Sequence, residues 1–239
     1  MIRLLPVLLA AVAVAVVSPG SASAGRECDG LLVCIPVAGP WVQVPSGGTP
    51  TYWQLACPGR GQVIAGLDAD RNGRLEITFL GTLGGPVGPG VTTGRAAVFV
   101  ARTTQGLAGF RPLLGCIPGG GGGARGRTIA QPTPSTRRLT AVAPVEEAAI
   151  RRVKTVNVAV QPTVRVRHAC LSGERLLSSS QAVAFATRRA PSATALGSVR
   201  ASSRRDGGRI VVTVRSGVTR PGAVRVQLQV HAICARSGR

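Results

Sequence analysis

The chain has 239 residues, with 29 Lys and Arg against nine Asp and Glu, a formal charge of +20 and only seven aromatic residues. Its six cysteines are an even set, which in an exported chain means disulfides rather than thiol chemistry or metal binding. No G-x-S-x-G, S-x-x-K, H-E-x-x-H or Walker sequence occurs, so the familiar signatures of hydrolases, zinc peptidases and nucleotide-binding loops are excluded.

Residues 1–24 have the three parts of a secretory signal: Arg3, the apolar run Leu4–Val17, and Ala22-Ser23-Ala24, after which cleavage is expected. The apolar run is 14 residues long, short of the roughly 20 that cross a bilayer as a helix. The sequence therefore predicts a protein that is secreted or held in the cell envelope and is not transmembrane after cleavage.

Residues 25–118 read as a first β module with an extended leading segment. Cys28 to Cys34 delimit a small loop, and Pro36, Pro40, Pro45 and Pro50 rule out a helix beyond it. Trp41–Val44 reads as a short edge strand, and Tyr52–Leu55 leads into Cys57. Trp41, Tyr52 and Trp53 are three of the seven aromatics. A module so poor in rings is expected to bury them, the alternative being an exposed stacking surface. Further strands are predicted over Gln62–Leu67, Leu75–Leu80 and Ala96–Ala101, with Phe110–Leu114 as the approach to Cys116; Leu75, Ile77 and Phe79 lie on one face and Glu76 and Thr78 on the other. Between them, Gly81–Gly94 is crowded with Gly and Pro and reads as a long loop.

Cys57-Pro58, Gly66-Leu67-Asp68-Ala69, Pro89-Gly90-Val91-Thr92-Thr93 and Gly115-Cys116-Ile117-Pro118 make residues 34–118 similar to secreted proteins of GC-rich actinobacteria that have Cys-bounded β modules. The resemblance implies an extracellular β fold. It brings no activity, so no functional residue follows from it.

Residues 119–136 form a flexible linker by composition, with five consecutive glycines from Gly119 and a Pro132-Thr133-Pro134 spacer. Two loosely coupled modules are expected on either side. The second covers residues 137–236. It begins with a short helix predicted within Pro144–Lys154, where Glu147 and Arg151 stand at i,i+4. After it, Val156, Val158 and Val160, then Val164 and Val166, then Ile210–Val214 carry strand patterns. The longest alternation is the last: Val224, Val226, Leu228, Val230, Ala232 and Cys234 share one face and Arg225, Gln227, Gln229 and His231 the other. One-sided burial of this kind marks antiparallel sheets. The expected architecture is all-β: two antiparallel, sandwich-like modules. Pairing Cys28 with Cys34, Cys57 with Cys116 and Cys170 with Cys234 closes the units that the strand pattern delimits.

Among candidate sites, Asp68-x-Asp70-x-Asn72-Gly73 resembles the start of a calcium loop. The twelfth position, however, is Phe79, where a bidentate Glu belongs, and Asn-Gly between strand patterns is a strong hairpin signal. A hairpin turn is expected, with Asp68, Asp70 and Asn72 as the only calcium candidates. His168 and His231, the two histidines, alternate onto different faces and form no joint site. No cofactor and no small-molecule substrate is implied, and an enzyme is the class with least support.

Charge is uneven. Residues 25–118 hold seven Arg against five acids, whereas residues 137–239 hold 18 Arg and Lys154 against four. Such a surface attracts polyanions. Arg165, Arg167 and Arg225 on polar strand faces and Arg188, Arg189, Arg204 and Arg205 in expected loops are the candidate contacts. Phe185 is the only aromatic of this module, so it offers no platform for stacked bases, and anionic envelope polymers fit better than nucleic acid. The alternative is a structural or protein-interaction role through sheet edges or a Trp41/Trp53 surface.

Overall fold

The computed structural model describes residues 26–82, 94–119, 149–158, 163–217 and 225–236. A 3-10 turn, Arg26–Cys28, precedes strands β1 (Ile35–Ala38), β2 (Trp41–Val44), β3 (Thr51–Ala56), β4 (Gln62–Asn72), β5 (Glu76–Gly81), β6 (Ala96–Arg102) and β7 (Ala108–Pro118). The second half supplies β8 (Ile150–Val158), β9 (Thr163–Ala169), β10 (Glu174–Ala186), the one-turn helix α1 (Ala193–Gly197), β11 (Val199–Asp206), β12 (Arg209–Ser216) and β13 (Arg225–Arg236). The all-β, antiparallel expectation holds. The expected signal segment, Gly120–Gly123 with the Pro-rich spacer, and most of the Gly81–Gly94 loop lie outside the described residues.

One sheet is shared by both halves. Its order is β1-β7-β2-β10-β13-β8, with β4 also paired to β7. The crossing point is narrow: Val42 pairs Ala184 and Trp41 pairs Phe185. The β2 segment is therefore internal, between β7 and β10, rather than at an edge. The loose coupling implied by the linker composition does not describe the molecule, because a continuous backbone ladder joins the two halves.

Two three-stranded sheets cover the shared one. Sheet β3-β6-β5 lies over one face and sheet β11-β12-β9 over the other, as the alternation of β2 and β10 demonstrates. Val42, Val44, Ala182 and Ala184 belong to a core with Trp53, Phe99 and Phe110. Their neighbours Trp41, Val183 and Phe185 belong to a second core with Leu196, Val212 and Leu228. A strand buried on both faces needs small residues on one side where another layer presses close, and Ala182 and Ala184 supply them. The two long-range disulfides tie these layers: Cys57–Cys116 joins the end of β3 to β7, and Cys170–Cys234 joins the end of β9 to β13. Cys28–Cys34 closes the small loop, so all three pairings are those expected.

Several local expectations change. The predicted helix within Pro144–Lys154 gives way to strand from Ile150 onward, because β8 pairs with β13 over Val226–Cys234; residues 144–148 lie outside the described residues. Asn72-Gly73 does form a bend, with Gly73 at φ +104°. Yet β4 pairs with β7 and β5 with β6, so this bend passes the chain between sheets instead of closing a hairpin. Strand β10 carries no alternation across Leu176-Leu177-Ser178-Ser179-Ser180, since a bulge shifts its register between Leu176 and Ser178. Arg204 and Arg205 lie in β11 rather than in a loop.

Candidate polyanion interface

The outer sheet β11-β12-β9 gathers charge because its strands pair without register slips. Val166, Ile210, Val212 and Val214 mark the inward face. The outward positions of β12 are then Arg209, Val211, Thr213 and Arg215. Register places Thr213 opposite Arg165 and Val211 opposite Arg167 on β9. On the other side Arg215 pairs with Arg200, Val211 with Arg204, and Arg209 with Asp206 on β11. Six arginines therefore share one outward face: Arg165, Arg167, Arg200, Arg204, Arg209 and Arg215. All six are exposed.

The electrostatics of that face are one-sided. Among the described residues of this half, the only carboxylates are Glu174 and Asp206. Asp206 lies 3.9 Å from Arg204, and both side chains are well exposed, so this ion pair adds little. Glu174 is engaged elsewhere: Arg152 Nε donates to its Oε2 at 3.2 Å and Arg152 Nη2 to its Oε1 at 2.5 Å. Those bonds hold the Glu174 carboxyl below its ordinary range. Arg200 and Arg215 stand directly opposite each other, where like charges on antiparallel strands repel. Val211 is 5% exposed although it faces outward. Its partners on either side are Arg204 and Arg167, whose aliphatic stems can cover it while their charged ends stay in water. Lys154 adds a cation at the margin, donating from Nζ to the carbonyl of Arg167 at 3.1 Å.

The seven arginines expected from sequence are thus divided. Arg165, Arg167 and Arg204 lie on the face. Arg205 is held away from it by bonds from its guanidinium to the carbonyls of Leu176 and Gly207. Arg225 pairs with Ala186 at the end of β10 that leads to Arg188 and Arg189, a separate exposed group. Sequence reasoning missed Arg200, Arg209 and Arg215. Their even spacing, six residues from Arg209 to Arg215 and four from Arg200 to Arg204, was the available signal.

The other candidates resolve differently. Asp68, Asp70 and Asn72 lie along the extended strand β4, where every second residue is about 6.7 Å further on. Asp68 accepts from the backbone N–H groups of Arg26 and Ala69, and Asn72 donates to the carbonyl of Pro191. These are structural bonds, and the extended strand does not turn the side chains around a common centre. Cys170, Glu174 and Cys234 lie close together, but both sulfurs are in a disulfide and the carboxylate is paired with Arg152. Trp41 and Trp53 are 6% and 2% exposed, in different cores, so the surface they were expected to offer as an alternative does not exist.

The histidines lie on opposite sides of the shared sheet. His168 on β9 meets the carbonyl of Arg152 at 3.1 Å. His231 on β13 is fully buried, with Nδ1 3.1 Å from Arg151 Nη1 and Nε2 2.7 Å from Gln229 Oε1. Burial, and secondarily Arg151 and His168, push its pKa down to about 3. A neutral ring accepts from Arg151 at Nδ1 and donates to Gln229 at Nε2, so both nitrogens are committed. Comparison of the chain with protein-family profiles, curated proteins and solved structures finds no match.

Proposed function

We propose that this is an exported, non-catalytic protein that binds anionic cell-envelope polymers through the outer face of sheet β11-β12-β9. The observation that carries the reading is the Arg200/Arg215 pair within a six-arginine face that has one carboxylate. Solubility needs no such arrangement, since a cross-strand pair of like charges costs stability. A bound polyanion relieves the repulsion. Export is supported by the signal pattern and by the three disulfides, which form and persist in oxidising compartments. Among the described residues no helix is long and apolar enough to cross a membrane.

The test is retention of the purified protein on heparin and on an anionic wall polymer as salt rises. Each arginine that meets the polymer is expected to contribute about 0.7–0.9 to the slope of log affinity against log salt. A variant with Arg165, Arg167, Arg200 and Arg215 changed to Gln should lose most of that slope. Elution together with a neutral matrix, or equal retention of the variant, overturns the reading.

One observation favours a second reading, a protein-interaction module. Leu32 and Val33, at the tip of the Cys28–Cys34 loop, are exposed together with Ile35. A salt-insensitive partner lost on Leu32→Ser would support it, whereas no difference between the two proteins would discard it.

A further inference from the structure

Where β3 crosses over the shared sheet, a cleft of about 430 Å³ opens between the two halves, lined by Tyr52, Thr82, Arg151, Ser178, Ser180 and Ile233 among others. Strand register explains its composition. Ser178 pairs with Ile233 and Ser180 with His231, while Arg151 pairs with Ile233 from the opposite edge. These side chains therefore share the face that carries His231.

Arg151 is the only cation among the described residues that line the cleft. It is half-buried, its guanidinium carbon lies 5.4 Å from the centre of the Tyr52 ring, and Nη1 donates to His231 Nδ1. Its Nε is buried and has no hydrogen-bond partner among the described residues, and none of their carboxylates pairs with it. A desolvated guanidinium that no described carboxylate neutralises is costly, and its pKa is correspondingly lowered by burial. His231 fixes its position because both ring nitrogens are engaged. Around this charge stand the hydroxyls of Thr82, Ser178 and Ser180, each able to donate and accept.

We infer that this cleft binds a carboxylate-bearing sugar, with the carboxylate at Arg151 and the sugar hydroxyls on Ser178, Ser180 and Thr82. The volume suits a ligand of that size, since small-molecule sites begin near 300 Å³. A guanidinium recognises a carboxylate by charge-assisted bonds, and a hydroxyl-lined wall matches a polyhydroxylated ring. This site shares no residue with the outer arginine face and stands independently of it.

Calorimetric titration of the purified protein with glucuronate, glucose and sodium sulfate tests the inference. Saturable 1:1 binding of glucuronate is expected, about tenfold or more tighter than glucose and sulfate. Arg151→Gln should weaken glucuronate by a similar factor. Because that change disturbs a buried network, Ser178→Val at an exposed strand position provides a second variant, which should fold as the parent does and also bind glucuronate more weakly. The four-arginine outer-face variant should bind glucuronate like the parent. Equal binding of glucose, equal binding of sulfate, absence of saturation, or unchanged affinity in both site variants overturns the assignment.

Discussion

The side-chain amide of Gln229 binds both backbone groups of Gln54, accepting from its N–H at 2.6 Å and donating to its carbonyl at 3.0 Å. It thus occupies the free edge of β3 as a neighbouring strand would. The same amide accepts from His231 Nε2 at 2.7 Å and donates to Thr155 Oγ1 at 3.0 Å, so both lone pairs and both hydrogens are used. One residue of the second half therefore seals the edge of a sheet in the first.

Replacing Gln229 with Leu strands the Gln54 N–H and carbonyl and the His231 Nε2–H in a region where Gln229 itself is 3% exposed. Unsatisfied buried groups cost about 1–3 kcal/mol each, less where water reaches them. Equilibrium urea unfolding of Gln229→Leu should show a loss of about 2–4 kcal/mol. A change under 1 kcal/mol would mean that the network contributes little.

Because Ala182–Phe185 of β10 is buried on both faces, the second half should not fold alone. Residues 137–239 expressed separately leave Ala182, Ala184, Gln229 and His231 without the strands that cover them. Poor amide dispersion in NMR spectra and binding of a hydrophobic dye are expected. Sharp, dispersed spectra with cooperative unfolding would show that the shared sheet is dispensable.

His231 makes stability pH-dependent in a defined window. Its ring titrates near 6.5 in the unfolded chain and at about 3 in the folded one. Between those values the unfolded chain takes up a proton that the folded chain refuses. Stability contributed by the neutral ring is therefore complete above pH 6.5 and falls on acidification towards pH 3, by about 1.4 kcal/mol per unit. His231→Gln should remove this component of the slope. Glu174, which is stabilised in its ionised form, contributes acid sensitivity to both proteins alike, so the difference between them isolates His231. Parallel stability–pH curves would refute the assignment.

Arg215→Thr should stabilise the protein while weakening it as a binder. Relief of the repulsion with Arg200 is worth a few tenths of a kcal/mol up to about 1 at low salt, a gain that added salt should erase. Polymer retention should fall in the same variant. Loss of stability at low salt would show that the pair is not repulsive.

Much of this architecture was legible before any coordinates. The half-buried face of Leu75, Ile77 and Phe79, the long alternation ending at Cys234, and the three cysteine pairs follow from a side-chain period of two and from cysteines that bracket each strand set. The shared sheet was not legible. Its central strand β10 hides behind a serine run and a bulge, and β2 is four residues long.

The same limit governs both sites. Alternation determined that Gln229 and His231 share a face with Arg225, and that face was expected to be wet; tertiary packing buried the first two under Tyr52 and Gln54 and left Arg225 exposed. Arg165 and Arg167 were legible as neighbours on one strand, but only strand order and register brought Arg200, Arg204, Arg209 and Arg215 beside them. A strand's period is a local property of the backbone and states which residues look the same way. What they look at depends on other segments, near in sequence for the arginine face and 175 residues distant for Gln229 and Gln54, and that was decided by the fold alone.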